Sequence, residues 1–354
     1  MLNQTPKQIA AYSISSGTLQ TVSGSPYSLS AAPYSIAIAS SGAFLYIGTV
    51  NGIYLYTVGS GGALTIGNNG SPISTDIASA MQVSGSWLVD SFVAGSGNVQ
   101  INAIPINSST GAYTGSGVPP GQSFSIANVT SVNGMVMSPD GTNLFLALGT
   151  GGTIIVPFTQ GNSNPVGSTV TTIGVLNTGG SALSVAVDPN NRIFYIGETL
   201  ANSSASSGGL RAFNYSSIGS GSRRSSPTSI SGSPIASGGL APNAILPAYS
   251  GGYVYVANGQ GATSNGNVAW FPITTSGTTY TIATGSSIST GIQPVSMAED
   301  SLSNFVLAVA SGGSTSSGNP DLTAYTMSSG ALTAAIKSST GTDPVGAVAI
   351  GALP

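Results

Sequence analysis

The residues of this chain that could do chemistry are few, and the stretch "VDPNNRIFYIGETL" at 187–200 holds three of them. Asp188 and Arg192 flank a turn-like "PNN" sequence, and Glu198 follows a hydrophobic run of strand length. The chain has six basic and nine acidic residues, no histidine and no cysteine. Histidine is the usual base near neutral pH and the commonest metal ligand. Acid–base chemistry would therefore depend on a carboxylate in a water-poor site.

Other catalytic arrangements find little support in the sequence. A serine nucleophile would need Lys7 or Lys337 as its base, and both are expected at the surface. Glu299 and Asp300 are the only adjacent acidic pair, and we expect them to end a strand in a turn. No cofactor or metal site is predicted, although carbonyl oxygens in a central channel could hold calcium or sodium.

Composition also limits the partners. The basic residues form no stripe of the kind that nucleic-acid binding requires. Their one adjacent pair, Arg223 and Arg224, is interpreted as part of an exposed loop. No segment approaches the run of about 18 apolar residues that a membrane helix needs. We therefore predict neither nucleic-acid binding nor a membrane span.

The elements that position the candidate residues belong to an internal repeat of about fifty residues, a period typical of propeller blades. Each repeat has an alternating apolar strand, a Ser/Asp/Gly turn, a strand rich in aromatic and branched residues, and two further strands. The first strands align at Ile36, Met81, Met135, Val185, Ile245, Met297 and Ala347. The sequence thus predicts an all-β protein, a seven-bladed β-propeller of four-stranded antiparallel blades, in one domain over residues 1–354.

The two ends of the chain are predicted to share one blade. The chain opens with "QIAAYSI" and "LQTVS", which read as third and fourth strands, and ends with "GAVAIGALP", which reads as a first strand. Pairing these ends would close the ring and remove exposed sheet edges. Residues 1–4 are expected to be too few to supply the second strand. We expect either further chain upstream or a strand added by a neighbouring molecule.

The repeat motifs resemble those of the lactonase-like seven-bladed β-propellers, which include bacterial 6-phosphogluconolactonase and proteins with YVTN-type repeats. The resemblance rests on "SPDG..LFLAL", "VDPNNRIFYIGETL" and the recurring "SG.LT" and "GSP". It implies a catalytic branch in which Glu198 stands at a glutamate position near the central opening. Asp188 then stands where that branch has histidine, and Arg192 stands at an arginine-like position suited to an anionic substrate.

Two functions are compatible with these observations. Only 4% of the residues are charged, against about 25% in an ordinary soluble domain, so little repulsion separates copies of the chain. We therefore predict a secreted, non-catalytic structural protein, at the cell surface or outside the cell, that self-associates or binds glycans or another surface protein. Its signal sequence would already have been removed. The alternative is a lactonase-like hydrolase, with Glu198 as general base and Arg192 or Arg211 holding the substrate's anionic group.

Overall fold

The computed structural model describes residues 1–15, 18–201, 207–219, 225–261, 264–312, 321–336 and 346–353. Within these ranges the regular structure is β-strand, apart from short 3₁₀ turns at Ser60–Gly62, Asn68–Gly70 and Tyr215–Ile218. The prediction of an all-β protein is thus confirmed. No helix in the described ranges has the length and apolar character needed to cross a membrane. Arg223, Arg224 and Lys337 lie outside the described residues.

The strands in the first half of the chain group into four-stranded antiparallel sheets. In chain order they are β1 (Leu2–Asn3), β2 (Gln8–Ile9), β3 (Tyr12–Ser15), β4 (Thr18–Thr21), β5 (Tyr27–Ser28), β6 (Pro33–Ile38), β7 (Phe44–Thr49), β8 (Gly52–Val58), β9 (Leu64–Ile66), β10 (Ala80–Ser84), β11 (Trp87–Val93), β12 (Val99–Pro105), β13 (Gly121–Phe124), β14 (Gly134–Met137), β15 (Asn143–Ala147), β16 (Thr153–Pro157) and β17 (Thr171–Ile173). Strands β6 to β9, β10 to β13 and β14 to β17 each form one sheet in sequence order.

The second half continues the same arrangement. Its strands are β18 (Ala182–Val187), β19 (Ile193–Glu198), β20 (Gly209–Asn214), β21 (Ile235–Ala236), β22 (Ala241–Pro247), β23 (Tyr253–Gly259), β24 (Asn265–Ser276), β25 (Thr279–Ile282), β26 (Ser286–Glu299), β27 (Phe305–Gly312), β28 (Leu322–Ser328), β29 (Ala331–Ile336) and β30 (Ala347–Ala349). Strands β18 to β21 form a sheet. The long strand β26 pairs with β24 through its first half and with β27 through its second, so two four-stranded units share it. Together with β25, which pairs with β24, they form one eight-stranded sheet.

The second strand of each unit lies between apolar layers on both faces. In Ile193–Glu198 every residue is buried, and the same holds for Phe44–Thr49 and Asn143–Ala147. Such strands read as continuous hydrophobic runs because neighbouring sheets cover both of their faces. One core cluster, for example, packs Phe145 of β15 against Phe194 of β19, with ring centroids 5.0 Å apart.

The terminal strands share one sheet in the order β30, β1, β2, β5. Leu2 pairs with Ile9 on one side and with Ala349 on the other. The expectation that residues 1–4 are too short to supply the second strand was therefore wrong. Two residues are enough because the neighbouring strands β2 and β30 are themselves only two and three residues long. The slot proposed for a strand from another molecule is filled by the chain itself.

The fourth strand of this sheet also differs from the prediction. The segment "LQTVS" contributes β4, which pairs with β3 in a separate hairpin. Strand β5, at Tyr27–Ser28, takes the outer position and pairs with Gln8 and Ile9. The turn "GSP" therefore directly precedes the outer strand. The alternating segment before it, which forms the β3–β4 hairpin, is an insertion between β2 and β5.

Candidate functional site

Glu198 is the last residue of β19, and its place follows from the register of the sheet. It pairs with Ala182, the first residue of the first strand β18, and with Gly209, the first residue of β20. The residue is only 1% exposed. A charged group therefore lies at the end of an otherwise hydrophobic strand. A buried carboxylate in such a place needs a specific partner.

That partner is Arg211 of β20. Its Nη1 lies 2.6 Å from Oε1 of Glu198 and also donates a hydrogen bond of 2.8 Å to the carbonyl of Gly174. The backbone N–H of Leu176 donates to Oε2 of Glu198 at 3.0 Å. The Arg211 side chain is 12% exposed and that of Glu198 2%. The segment connecting β17 to β18 thus covers the ion pair, and Arg211 is the member that solvent can reach.

Asp188 and Arg192 form a second ion pair at the other end of β19. Arg192 donates from Nε to Oδ1 of Asp188 at 2.9 Å and from Nη2 to Oδ2 at 2.6 Å. The same Nη2 donates to the carbonyl of Gly251 in the next unit, at 2.6 Å. Asp188 is fully buried, and its Oδ1 also accepts the backbone N–H of Asn190. The pair therefore holds the turn between β18 and β19 and ties it to the neighbouring sheet.

The three residues singled out in the sequence are not brought together. Five strand steps separate Ile193 from Glu198, which is about 17 Å at about 3.4 Å per residue. Asp188 and Arg192 meet at one end of this strand, while Glu198 lies at the other end with Arg211. The candidate site is therefore the Glu198–Arg211 pair. Both carboxylate oxygens of Asp188 are already occupied by Arg192.

Sequence reasoning missed a set of buried polar residues at the same register as Glu198. Asn3 and Thr49 also end second strands, and Asn258 is the last residue but one of another. Each faces the first part of a first strand. All three are at most 1% exposed. The signal lay in the endings "YIGT", "YIGE" and "YVAN", where a polar residue closes a hydrophobic strand. Glu198 is the charged member of this set.

In these surroundings the pair can perform two tasks. The guanidinium of Arg211 can bind a phosphate or carboxylate in a planar, charge-assisted contact. The carboxylate of Glu198 can accept a proton once its own contact with Arg211 is released. The combination of an anion-binding cation and a shielded carboxylate base is the chemistry required for hydrolysis of an anionic ester.

Comparisons with known proteins identify the fold. The chain superposes on a periplasmic gluconolactonase of Pseudomonas aeruginosa with a TM-score of 0.65 and 15% identity, covering 95% of this chain and 92% of that one. It superposes on a Bacteroides fragilis protein assigned by inference as a 6-phosphogluconolactonase with a TM-score of 0.64 and 15% identity, covering 97% and 96%. A β-propeller domain of Myceliophteria thermophila gives a TM-score of 0.53 and 12% identity over 91% and 90%. The chain has a lactonase-like β-propeller fold.

These findings correct the functional prediction. No protein-family model matches the chain, and no curated protein matches it either. The Pseudomonas aeruginosa and Bacteroides fragilis proteins, which have the higher TM-scores of the three described above, are both named as lactonases. Our prediction of a non-catalytic structural protein is contradicted by this comparison, which favours the lactonase-like alternative. The composition argument failed because a low surface charge bears on association between copies and says nothing about the chemistry of a buried pair.

Proposed function

We propose that this lactonase-like β-propeller hydrolyses an anionic sugar lactone at the Glu198–Arg211 pair. The observation that carries the proposal is the buried carboxylate of Glu198, held 2.6 Å from the Arg211 guanidinium at the end of β19. The lactonase names of neighbours with the same fold support the choice of reaction. In a chain without histidine, a carboxylate is the base that remains.

The proposed reaction begins when the anionic group of the substrate takes over Arg211. Oε1 of Glu198 then loses its cationic partner and accepts a proton from a water molecule. The resulting hydroxide bonds to the lactone carbonyl carbon, the ring C–O bond breaks, and the proton passes to the departing ring oxygen. The product is the open hydroxy acid, and Glu198 returns to its ionised form. Oε2 remains held by the N–H of Leu176, which keeps the carboxylate in position.

We further propose that seven four-stranded blades close into a ring through the shared terminal sheet. The pairing of β30 with β1 supports this closure. Apolar clusters join this sheet to both neighbours: Met1 packs with Leu307 and Val309 on one side, and Leu2 packs with Leu45 on the other. The long strand β26 would then be shared by the sixth and seventh blades. A closed ring would hold the end of β19 rigidly beside the central opening.

The experiment measures opening of glucono-δ-lactone and of its 6-phosphate by the purified protein, with pH-stat detection of the acid formed. Glu198→Gln should lower kcat/KM by about 10²- to 10⁴-fold, since the amide cannot accept the proton. Arg211→Gln should mainly raise KM for the phosphorylated substrate. Asp188→Asn is the matched control, because it alters an equivalent ion pair at the opposite end of the same strand and should leave kcat/KM unchanged.

Failure of the proposal would be equally clear. Absence of turnover above the uncatalysed rate, or equal effects of Glu198→Gln and Asp188→Asn on kcat/KM, would refute the assignment of the site. Circular dichroism of each variant separates loss of activity from loss of fold. An extracellular location and association between copies stay predictions from composition, and native mass spectrometry of the purified protein tests the second.

A further inference from the structure

The terminal sheet is shorter than the sheets on either side of it. Its strands β1, β2 and β30 have two, two and three residues. The second strands of the neighbouring sheets, β7 and β27, have six and eight. Strand β1 thus fills the second-strand position of the terminal sheet over two residues only. A sheet of this length leaves part of each neighbouring apolar face without the sheet that would pack on it.

A cavity of about 300 Å³ lies where this cover is missing. One neighbouring sheet contributes apolar side chains from β6 to β9, and the other contributes them from β27 and β28. These residues are Ile36, Ile38, Leu45, Val58 and Leu64 on the first side, and Leu307 and Leu322 on the second. They belong to the two apolar clusters that also hold Met1 and Leu2. The cavity is therefore a gap between packed sheets, with walls of core side chains.

The register of the sheets identifies the element that this gap would hold. Counted from the last residue of each second strand, Tyr12 corresponds to Tyr56 of β8, and Tyr56 faces Leu45 of β7. On the other side, Ala352 corresponds to Ile38, which also faces Leu45. Tyr12 and Ala352 both line the cavity. No described strand lies between them, so the gap has the place of a second strand that continues the line of β1.

The two edges of this gap present backbone groups to it. Ala11 accepts a hydrogen bond from the N–H of Val22 and donates one to Oγ of Ser25, both on the outer side of the sheet. Backbone groups of successive residues in a strand point to opposite sides, so those of Tyr12 point toward the gap. On the other edge, residues 351–353 make no hydrogen bond to another backbone group within the described part of the chain.

We propose that this cavity receives an extended apolar segment of a second polypeptide, which pairs with the chain between Tyr12 and Ala352. Such a segment adds a strand to a sheet, with backbone hydrogen bonds for affinity and side-chain pockets for specificity. Because neighbouring sheets lie on both faces, the segment must be apolar at consecutive positions, as Phe44–Thr49 is at its start. Leu302 and Leu353, which are 77% and 39% exposed, mark the opening and provide apolar contacts for the flanking residues.

A small apolar molecule is the competing occupant. It would contact the same apolar walls, but it has no donor or acceptor for the backbone groups at the two edges. Backbone groups that are covered without a partner are unfavourable. A polypeptide in extended form satisfies both the edges and the walls. The two accounts differ in what they predict for a peptide that stays apolar but loses one backbone N–H.

The test uses the full chain and a peptide with the sequence of residues 42–46, GAFLY, preceded by two lysines and a fluorophore. We expect fluorescence anisotropy to show saturable binding at one site per chain. We also expect Tm to rise by about 3 °C when free unlabelled peptide exceeds its Kd about tenfold. A second peptide carries proline in place of leucine. It lacks the N–H that would face Tyr12, and it should bind at least about tenfold more weakly.

A variant of the chain tests the position of the site. Ala352→Trp fills the gap from one edge and should abolish peptide binding, and circular dichroism checks its fold. Ala236→Trp is the matched control, because it adds the same side chain at an exposed position of β21 and should leave binding unchanged. Should Ala352→Trp fail to fold, the comparison of the two peptides decides alone.

Three results would overturn the proposal. The first is absence of binding of the leucine peptide to the wild-type chain at millimolar concentration. The second is equal affinity of the leucine and proline peptides, and the third is unchanged binding by a folded Ala352→Trp variant. A rise in Tm with saturating n-octane, together with either of the first two results, would identify a small apolar molecule as the occupant.

Discussion

Arg211 reaches Glu198 diagonally across two neighbouring strands. Glu198 faces Gly209 in the β19–β20 register, whereas Arg211 faces Ile196, two residues further along. Both side chains leave the same face of the sheet, and this diagonal contact brings Nη1 to 2.6 Å from Oε1 of Glu198. A pair formed in this way is fixed by the register of the sheet rather than by a turn. It therefore lasts as long as the two strands stay paired.

Loss of the arginine should cost more stability than neutralisation of the glutamate. Arg211→Ala leaves a buried carboxylate without its cation, and we expect about 3 kcal/mol to be lost from the free energy of unfolding. Glu198→Gln keeps an acceptor for the N–H of Leu176 and should cost only about 1 kcal/mol. Urea denaturation of both variants measures the difference. Equal losses would mean that Arg211 does not compensate the charge of Glu198.

Arg192 should not tolerate replacement by lysine. Its guanidinium contacts both oxygens of Asp188 and the carbonyl of Gly251 at once. A lysine ammonium is a single point of charge and cannot reproduce this planar contact. We predict that Arg192→Lys lowers the free energy of unfolding by about 1 to 2 kcal/mol and leaves lactone turnover unchanged. A fully stable Arg192→Lys variant would show that the planar contact is dispensable.

The parts of the molecule that sequence alone predicted are those set by local patterning. Alternating apolar residues and turn residues predicted where the second strands lie. The sequence "DPNN" predicted the turn at Asp188, and the structure has that turn between β18 and β19. The sequence named Arg211 only as one of two candidate arginines to act with Glu198 and did not predict their contact. Arg211 lies 13 residues away, and its reach depends on which residue faces which across the sheet. The short strand Leu2–Asn3 was missed for a related reason. Two residues carry no period, and only the flanking strands reveal their role.

Two tyrosines in one register offer a test of hydrogen bonding between sheets. Tyr46 pairs with Ala37 and donates its hydroxyl to the carbonyl of Gly111 in the next sheet, at 2.9 Å. Tyr195 occupies the equivalent place opposite Ala186, but its buried hydroxyl has no hydrogen-bond partner among the described residues. We predict that Tyr46→Phe costs about 1 kcal/mol, whereas Tyr195→Phe changes stability by less than about 0.5 kcal/mol. Thermal or urea denaturation of both variants measures these changes in the free energy of unfolding. A larger loss of stability for Tyr195→Phe than for Tyr46→Phe would contradict the prediction.

A contact between sheets should make stability depend on pH. Tyr215 donates its hydroxyl to Asp140, with both oxygen distances 2.9 Å. Burial alone would raise the pKa of Asp140, but hydrogen bonds from Ser138, Thr142 and Tyr215 lower it below its ordinary value. A lowered pKa in the folded state adds stability that is present above the unfolded pKa, about 3.9, and is lost as pH falls through the folded pKa. Tyr215→Phe should therefore cost more near pH 6 than near pH 2.

Asp140→Asn is the control for this pH dependence. In that background the acid no longer titrates, so the cost of Tyr215→Phe should be the same at both pH values. Urea denaturation of the four proteins at the two pH values completes the comparison. A pH-dependent cost that persists in the Asp140→Asn background would assign the effect to another group.

Closure of the ring through the terminal sheet can be tested at Ala347. This residue is fully buried in β30, where it pairs with Asn3 and packs in one cluster with Met1 and Leu307. Ala347→Asp would place an unpaired charge in that cluster, and we expect it to lower Tm by at least about 10 °C. Leu353→Asp is the matched control, because the same charge is added a few residues away at a side chain that is 39% exposed. It should leave Tm nearly unchanged. If the Tm of Ala347→Asp equals that of Leu353→Asp and of the wild type, the terminal sheet does not hold the molecule together. The proposed ring closure is then refuted.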